Sequence, residues 1–225
     1  MARTRGSSGP RTMQAIREAG VRLIYEHGYE GMNLRQLADA VGIQAGSLYN
    51  HIHTKQDLLF ELVKEHLSQL LAQLDAALKD VAGPLERMRA FVAFHVNYHM
   101  VRKREVSVVN FELRSLEPAN YQAVVAMRRA YERPLIAIIE DGIEAGVFAP
   151  TDARVAAYAI LALLTGVCVW YRPNGRLGRD EIVAVHTRLV LDGLSAGGVK
   201  GVTPKRASRR APAPSSKPAR GRAPR

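Results

Sequence analysis

A short polar run directly after Ile43 carries side chains that can hydrogen-bond to nucleic-acid bases. Gln and Asn amides can form two bonds to adenine, a Ser hydroxyl suits either base, and an Ala methyl can touch thymine. The residues of these types are Gln44, Ala45, Ser47 and Asn50. Tyr49 and His51 add further polar groups, and Leu48 is the apolar residue that would face inward. The chemistry of the run therefore permits contact with DNA if a helix presents it.

Two short helices joined by a tight turn would present this run. Leu34 and Leu37 begin an apolar repeat of helical spacing just after Asn33, a residue type that caps helix N-termini well. Gly42 follows, and glycine adopts the left-handed conformation that ends helices at little cost. The pattern over 33–52 predicts a helix-turn-helix, whose second helix can lie in a DNA major groove.

A helix before this motif would complete a three-helix DNA-binding head, and a further helix after it would link the head to a helical-bundle regulatory domain. The first runs from Thr12 to about His27 and ends at Gly28. The second follows the cap residue Thr54 and carries Lys55 in its first turn. A helix N-terminus that carries a Lys can bind a phosphate group of the DNA backbone.

This region resembles the DNA-binding domain of the TetR family of bacterial transcriptional regulators. The residues that match in the family's order and spacing are Gly28, Tyr29, Asn33, Leu37, Ala38, Val41, Gly42, Ile43, Gly46, Leu48, Tyr49, His51 and Lys55. The resemblance implies that Tyr49, His51 and Lys55 hold phosphates. It also implies that Gln44, Ala45, Ser47 and Asn50 face base edges, and we include Asn33 in the same interface. The alternative is an ordinary solvated helix surface.

Three positions depart from the usual pattern of the family. Gln44 stands where a capping Ser is common, Ile52 where Phe is usual, and His53 where Pro is frequent. The first change should weaken the cap of the recognition helix, and the second should make a core contact smaller.

The remainder of the chain shows helical periodicity and no strand pattern, so we predict an all-α fold. The further predicted helices cover Lys55 to about Val81, Pro84 onward, Arg104 to Arg114, Tyr121 to about Gly146 with a kink at Pro134, Asp152 to Tyr171, and Asp180 to Leu194. We expect four segments: a disordered arm (1–10), a DNA-binding domain (11–55), a ligand-binding and dimerisation domain (56–197) and a disordered basic tail (198–225).

The net charge of +11 in 225 residues is concentrated at the two ends of the chain. Nine of the Lys and Arg residues, and no acid, lie from Lys200 onward, and the part between the ends is nearly neutral. Such ends suit a polyanion, although they could also serve only solubility. The longest apolar run, Tyr158–Trp170, is too short to span a membrane, and no signal peptide is evident. We therefore expect a cytoplasmic protein with no membrane partner.

An aromatic and basic stripe in the helix after Pro84 suggests the wall of a ligand cavity. The residues on this stripe are Phe91, His95, Tyr98, His99 and Arg102, and those expected opposite are Tyr121, Val125 and Tyr131. Such a wall suits an apolar ligand with one polar or anionic end. Trp170, at the end of an apolar helix, could stack on a ligand or seal a dimer interface.

The same stripe allows a metal-site interpretation, because His95 and His99 lie four residues apart on one helix face. No third ligand has a supporting spacing, so we expect neither a metal nor a cofactor. Cys168 is alone and lies in an apolar run, which favours a buried packing role.

The regulatory half is loosely similar to TetR-family members that sense acyl-CoA thioesters. Together the resemblances imply a homodimeric repressor that binds an operator in double-stranded DNA and leaves it when a lipid-like or acyl-CoA effector binds. We expect the dimer to form through the helices 152–171 and 180–194. Two alternatives remain: an architectural nucleic-acid-binding protein without an effector, and a helical enzyme that acts on the cavity ligand. No catalytic motif is found, so we expect no catalytic residues.

Overall fold

The computed structural model describes residues 9–195, and every regular element in that range is helical. This confirms the predicted all-α fold. The helices, in chain order, are α1 (Gly9–Gly31), α2 (Leu34–Val41), α3 (Ala45–Leu48), α4 (Lys55–Leu78), α5 (Pro84–Val101), α6 (Lys103–Phe111), α7 (Pro118–Glu144), α8 (Ala153–Thr165), α9 (Val167–Trp170) and α10 (Arg179–Leu194). A 3-10 turn, Leu113–Ser115, lies between α6 and α7.

Local capping contacts form the helix-turn-helix where the sequence predicts it. Oδ1 of Asn33 accepts the backbone N–H of Gln36 at 2.9 Å, and the Gln36 side chain accepts the backbone N–H of Asn33 at 3.0 Å. Gly42 has φ of 75° and ψ of 31°, a left-handed conformation in which a side chain would be strained. Gly28, with φ of 72°, interrupts the helical backbone near the end of α1. These contacts are local, which is why the pattern could predict them.

The long helix α4 joins the helix-turn-helix to the remainder of the fold. Its first turn is held by Thr54 and Asp57, whose side chains accept each other's backbone N–H groups at 3.0 and 2.9 Å. The helix packs against α1 at the head and against α5, α6 and α7 further along. Its buried stripe comprises Leu58, Leu59, Leu62, Leu67, Leu70, Leu74 and Leu78. A displacement of α4 would therefore reach both parts of the molecule.

The helix at the centre of the regulatory part is α5, which packs against α4, α7, α8 and α10. The side chains of Met88, Phe91, Val92 and Val96 on this helix are completely buried. Burying an apolar side chain of this size stabilises the fold by about 1.5–3 kcal/mol. The position of α5 is thus fixed by its neighbours, and its polar residues are held rigidly.

Several predicted boundaries need correction. Gly9 and Pro10 belong to α1 and not to the predicted arm, whose other residues, like those of the tail 198–225, lie outside the described range. Helix α7 begins at Pro118, three residues before the predicted start, because Pro suits the first helical turn. The predicted helix 152–171 is divided at Gly166 into α8 and α9.

The segment Ala153–Trp170 also corrects the expectation that no apolar run reaches membrane-spanning length. It is 18 residues long with a mean hydropathy of 1.8, enough to cross a membrane by length and composition alone. Only 28% of it is buried, and its inward residues, which include Ala157 and Leu164, pack against α5 and α7. Val155 and Tyr158 are more than half exposed. The outer face of α8 is therefore apolar and uncovered in a single chain.

Candidate nucleic-acid interface and regulatory chamber

The residues expected to read bases lie together on the outer surface of the head. Gln44, Ala45, Ser47 and Asn50 are all exposed. The side chain that anchors them is Leu48, which is completely buried against the head core. The arrangement leaves donors, acceptors and one methyl group free to meet a base edge.

The recognition helix α3 is only four residues long, Ala45–Leu48. Gln44 occupies its N-cap position but makes no side-chain capping bond, as the departure from the family pattern predicts. Tyr49 and Asn50 lie in the turns that follow, where His51 N–H donates to the Leu48 carbonyl at 2.9 Å. The surface therefore combines one helical turn with the bends beyond it.

The residues expected to hold phosphates differ in their exposure and in the contacts that they already make. Tyr49 is half exposed, and His51 is partly buried. Lys55 is also partly buried, because its Nζ lies 4.4 Å from the centre of the Tyr29 ring and donates to the Glu30 carbonyl at 3.1 Å. Asn33 is exposed, and its Oδ1 is occupied by the cap of α2.

A hydrogen-bond network that the sequence did not suggest joins the head to the start of α7. Nε2 of Gln56 donates to the Tyr29 hydroxyl at 3.0 Å and to the Ser115 carbonyl at 2.5 Å. Oε1 of Gln56 accepts the Glu117 backbone N–H at 3.1 Å, and Glu112 accepts the Tyr29 N–H at 3.2 Å. The end of α1, the start of α4 and the α6–α7 connection are thus tied together.

Of the residues expected to bind a ligand, five come together and four do not. Phe91, His95, Tyr98, His99 and Tyr131 are buried and form ring contacts with one another, with centroids between 3.8 and 5.9 Å apart. Tyr121 and Trp170 are exposed, and Val125 is partly buried. Arg102 faces a different space, described below. Trp170 stacks on His186 at 6.0 Å.

A small chamber lies beside this ring cluster, between α4, α5, α6, α7 and α8. His95, His99 and Tyr131 of the cluster line it, whereas Phe91 and Tyr98 do not, which corrects their predicted place in the ligand wall. The volume of the chamber is about 80 Å³. Its polar lining residues are His66, His95, His99, Asn110, Arg128, Tyr131, Glu132 and Thr165. Sequence reasoning missed His66 and Thr165, although His66 interrupts a Leu stripe and Thr165 ends an apolar helix, signals that could have marked both.

Hydrogen bonds hold the two histidines of α5 in fixed orientations. Nδ1 of His95 is 2.9 Å from the Tyr131 hydroxyl, and its Nε2 is 3.1 Å from Oγ1 of Thr165. Nδ1 of His99 lies 2.8 Å from the His95 carbonyl oxygen, and the two rings stack at 3.8 Å with an interplanar angle of 5°. Parallel rings whose nitrogens are bonded in this way do not converge on a common metal ion.

Burial keeps the chamber histidines uncharged near neutral pH. It lowers the pKa of His66 to about 3 and that of His99 to about 4, and the pKa of His95 also falls well below its usual value. Burial likewise raises the pKa of the Tyr131 hydroxyl, so this group stays protonated. The inner chamber is therefore polar but neutral.

The charged groups lie at the outer edge of the chamber. Arg128 and Glu132 line both the chamber and an open depression of about 420 Å³ that continues outward past Phe111 and Tyr158. Nη2 of Arg128 donates to Oδ1 of Asn110 at 3.4 Å where the two spaces meet. An elongated ligand could enter by this route if the pair separates.

Arg102 does not line the chamber, so its predicted place in the wall of the ligand cavity is wrong. It lies on a cleft of about 230 Å³ between α1, α4 and α6, where its guanidinium is 3.9 Å from Glu105 and 5.2 Å from the Tyr98 ring centre. Among the described residues, no group of three or more potential metal ligands was found.

Two family models match the chain over most of the described range. The model for bacterial regulatory proteins of the tetR family matches residues 16–62. The model for the tetracyclin repressor-like C-terminal domain matches residues 81–194. Together they cover both the helix-turn-helix and the ring cluster.

Relatives and solved structures agree with these matches. The chain is 28% identical to the HTH-type transcriptional repressor KstR2 of Mycobacterium tuberculosis over 81% of this chain and 92% of the relative. It is 32% identical to the TetR-family transcriptional regulator PfmR of Thermus thermophilus, with a TM-score of 0.72 over 78% of this chain and 96% of that one. A structure of AibR with isovaleryl coenzyme A and operator DNA is 26% identical, with a TM-score of 0.74 over 79% and 97% of the respective chains.

Proposed function

The chain belongs to the TetR family of bacterial transcriptional regulators, and on this basis we propose that it is a homodimeric repressor released from its operator by an acyl-CoA-like effector. The proposed division places DNA binding in residues 11–55 and effector binding and dimerisation in residues 56–197. The main support for the proposal is the path of α4. This helix begins beside the recognition surface, and its residues His66, Leu67 and Leu70 line the chamber.

The DNA contacts divide into two groups in this proposal. Gln44, Ala45, Ser47 and Asn50 read base edges, because they are exposed around α3 and supply donors, acceptors and, from Ala45, a methyl group. The residues that hold phosphates and fix the register are Tyr49, His51 and Lys55, and Asn33 lies in the same interface. A second copy of the chain supplies the second half-site, which multiplies the affinity for the operator.

Dimerisation through α8 and α10 would cover apolar surface that a single chain leaves exposed. Val155, Tyr158 and Leu163 on α8 and Leu189 on α10 are each at least 43% exposed. Large contiguous apolar patches on protein surfaces usually mark interfaces. A dimer built on these two helices also sets the distance between the two recognition helices.

The effector proposal rests on the chamber and on its outer edge. Pockets that hold drug-sized ligands are typically about 300–1,000 Å³, whereas this chamber has about 80 Å³. An acyl group must therefore push apart the helices that line it, and α4 is one of them. Because a ligand shifts an equilibrium only by its preference for one state, the expanded state must be the one that binds DNA poorly.

The charged end of such an effector would remain outside the chamber, near Arg128. This residue faces both the chamber and the depression, whereas Arg102 faces the separate cleft. An effector of this class is supported by AibR, which was solved with isovaleryl coenzyme A and operator DNA. Acyl-CoA thioesters combine an apolar chain with anionic phosphates, as this arrangement requires.

The proposal can be tested by mapping the chromosomal binding sites of the full-length protein and reconstituting one operator complex. We expect tight binding to the mapped sequence, weak binding to unrelated DNA and release when an acyl-CoA series is titrated. Equal affinity for all DNA, with a strong salt dependence, would instead indicate the architectural alternative. Turnover of the thioester would indicate the enzymatic one.

A further inference from the structure

His99 presents a hydrogen-bond acceptor to the chamber. Its Nδ1 lies 2.8 Å from the His95 carbonyl oxygen, which can only accept, so Nδ1 must carry the proton. The uncharged ring then has a lone pair and no proton on Nε2. This atom makes no hydrogen bond within residues 9–195, although the side chain lines the chamber and is 95% buried.

Within residues 9–195, none of the neighbouring polar groups donates a hydrogen bond to this acceptor, and Arg128 donates to Asn110 instead. Both ring nitrogens of His95 are occupied, by Tyr131 and Thr165. The His95 ring stacks face to face on His99, so it offers no in-plane donor to Nε2. When a ligand fills the chamber, Nε2 of His99 therefore has a hydrogen-bond partner only if the ligand supplies a donor.

The chamber also lacks a charge that could neutralise an ionic group. The polar residues that line the chamber but not the outer depression are His66, His95, His99 and Tyr131, and burial lowers the pKa values of the three histidines enough to keep them neutral. Arg128 and Glu132 lie where the chamber meets the outer depression. A carboxylate at the inner end would face the lone pair of His99 and lose its hydration, which is strongly unfavourable.

We infer that the part of the effector that enters the chamber is uncharged and donates a hydrogen bond, from a hydroxyl or an N–H group, to Nε2 of His99. The inference rests on the proposed function in so far as the chamber is the effector site. It narrows the class of ligand: a purely hydrocarbon acyl terminus would leave Nε2 buried without a partner. A chain with a hydroxyl group near its terminus would satisfy it.

A matched series of probes, each with an unbranched chain of six carbons, tests the inference on the full-length protein. We would titrate 1-hexanol, which donates, hexyl methyl ether, which only accepts, and hexanoate, which is charged. Because a buried acceptor without a partner is costly, we expect the alcohol to bind at least about tenfold more tightly than the ether. Hexanoate should bind most weakly.

Nitrogen NMR of protein labelled in its histidines provides a direct readout. The Nε2 resonance of His99 should shift when the alcohol binds and remain nearly unchanged with the ether. His186 is a matched internal control, because its Nδ1 bonds the Ile182 carbonyl at 2.8 Å in the same i−4 geometry, yet it does not line the chamber. Its resonance should stay in place with both probes.

Two variants separate recognition from folding. His99→Phe should reduce the preference for alcohol over ether to about onefold, and His99→Gln, whose amide oxygen accepts, should retain part of it if the Phe variant does not fold. Equal affinities for alcohol and ether in the unmodified protein, or an unmoved His99 resonance in the alcohol complex, would overturn the inference. Release of operator DNA by acyl-CoA would still stand in that case, so the two proposals fail separately.

Discussion

The ammonium group of Lys55 lies 4.4 Å from the centre of the Tyr29 ring. The same group donates to the Glu30 carbonyl at 3.1 Å, so the first turn of α4 is fastened to the end of α1. A cation over an aromatic face contributes about 0.5–1 kcal/mol at exposed sites. Lys55 therefore stabilises the packing of the head as well as contributing positive charge beside the recognition surface.

Replacing this lysine should affect both DNA binding and stability. We expect Lys55→Ala to weaken binding to all DNA sequences and to lower the free energy of unfolding by about 1 kcal/mol. Fluorescence anisotropy with operator and unrelated DNA, together with thermal melts, would measure the two effects. Lys79→Ala removes one cation from the far end of α4 and should change neither quantity. Unaltered affinity in Lys55→Ala would exclude a phosphate contact.

Asn50→Ala should instead alter the sequence preference. Asn50 is exposed beside α3, and a good base contact is worth about 1–3 kcal/mol of discrimination. Selection from a randomised operator library should show relaxed preference at one position in each half-site. Tyr49→Phe, which removes only a hydroxyl, serves as the control and should lower affinity evenly across the library. An identical selected sequence for Asn50→Ala and the unmodified protein would show that Asn50 does not read a base.

The helix-turn-helix could be predicted because its determinants are local in sequence. The cap of Asn33, the left-handed Gly42 and the pair Thr54 and Asp57 each act within a few residues. Likewise, His95 and His99 could be placed on one face because helical spacing alone brings them together. For contacts this short, residue types and spacing are sufficient.

The other side of the chamber could not be predicted in the same way. The lining positions of Thr165 and Arg128 depend on how α7 and α8 pack against α5, and no local pattern encodes this. Arg102 lies one residue past the end of α5, where the chain turns towards a different cleft. Tyr121 lies in the first turns of α7 and is exposed, and its burial depends on packing between helices that helical periodicity alone does not specify.

The chamber histidines should make the fold sensitive to acid. The pKa of His66 is about 3 and that of His99 about 4 in the folded state, whereas an unfolded histidine has about 6.5. The unfolded chain therefore binds more protons between these values, and stability is lost as the pH falls below 6.5. Each such group contributes up to about 1.4 kcal/mol per pH unit in this window.

Urea unfolding at pH 7, 6 and 5 would measure this loss. In His99→Gln the decrease in unfolding free energy between pH 7 and 5 should be smaller than in the unmodified protein. His53→Gln, at an exposed position in the head, should leave the decrease unchanged. The same slope in all three proteins would contradict the burial argument for His99.

A charge placed on the outer face of α10 should separate the subunits. Leu189 is 54% exposed and belongs to the proposed dimer surface with α8. We expect Leu189→Glu to sediment as a monomer at micromolar concentration and to lose most of its operator affinity, because single half-sites bind weakly. Val101→Glu is the control, since Val101 is 62% exposed but lies at the end of α5. A Leu189→Glu protein that remains dimeric would place the interface elsewhere.

The two arginines considered for the anionic end of the effector can be distinguished by their positions. Arg128 lies between the chamber and the outer depression, whereas Arg102 lines the cleft beside α1 and pairs with Glu105. We expect Arg128→Ala to raise the acyl-CoA concentration needed to release operator DNA by about tenfold or more, as loss of a charge-assisted bond should. Arg102→Ala should leave that concentration nearly unchanged. Operator affinity without effector provides the baseline for both variants. The opposite ranking, with Arg102→Ala the more defective, would mean that the effector reaches the protein through the cleft between α1, α4 and α6.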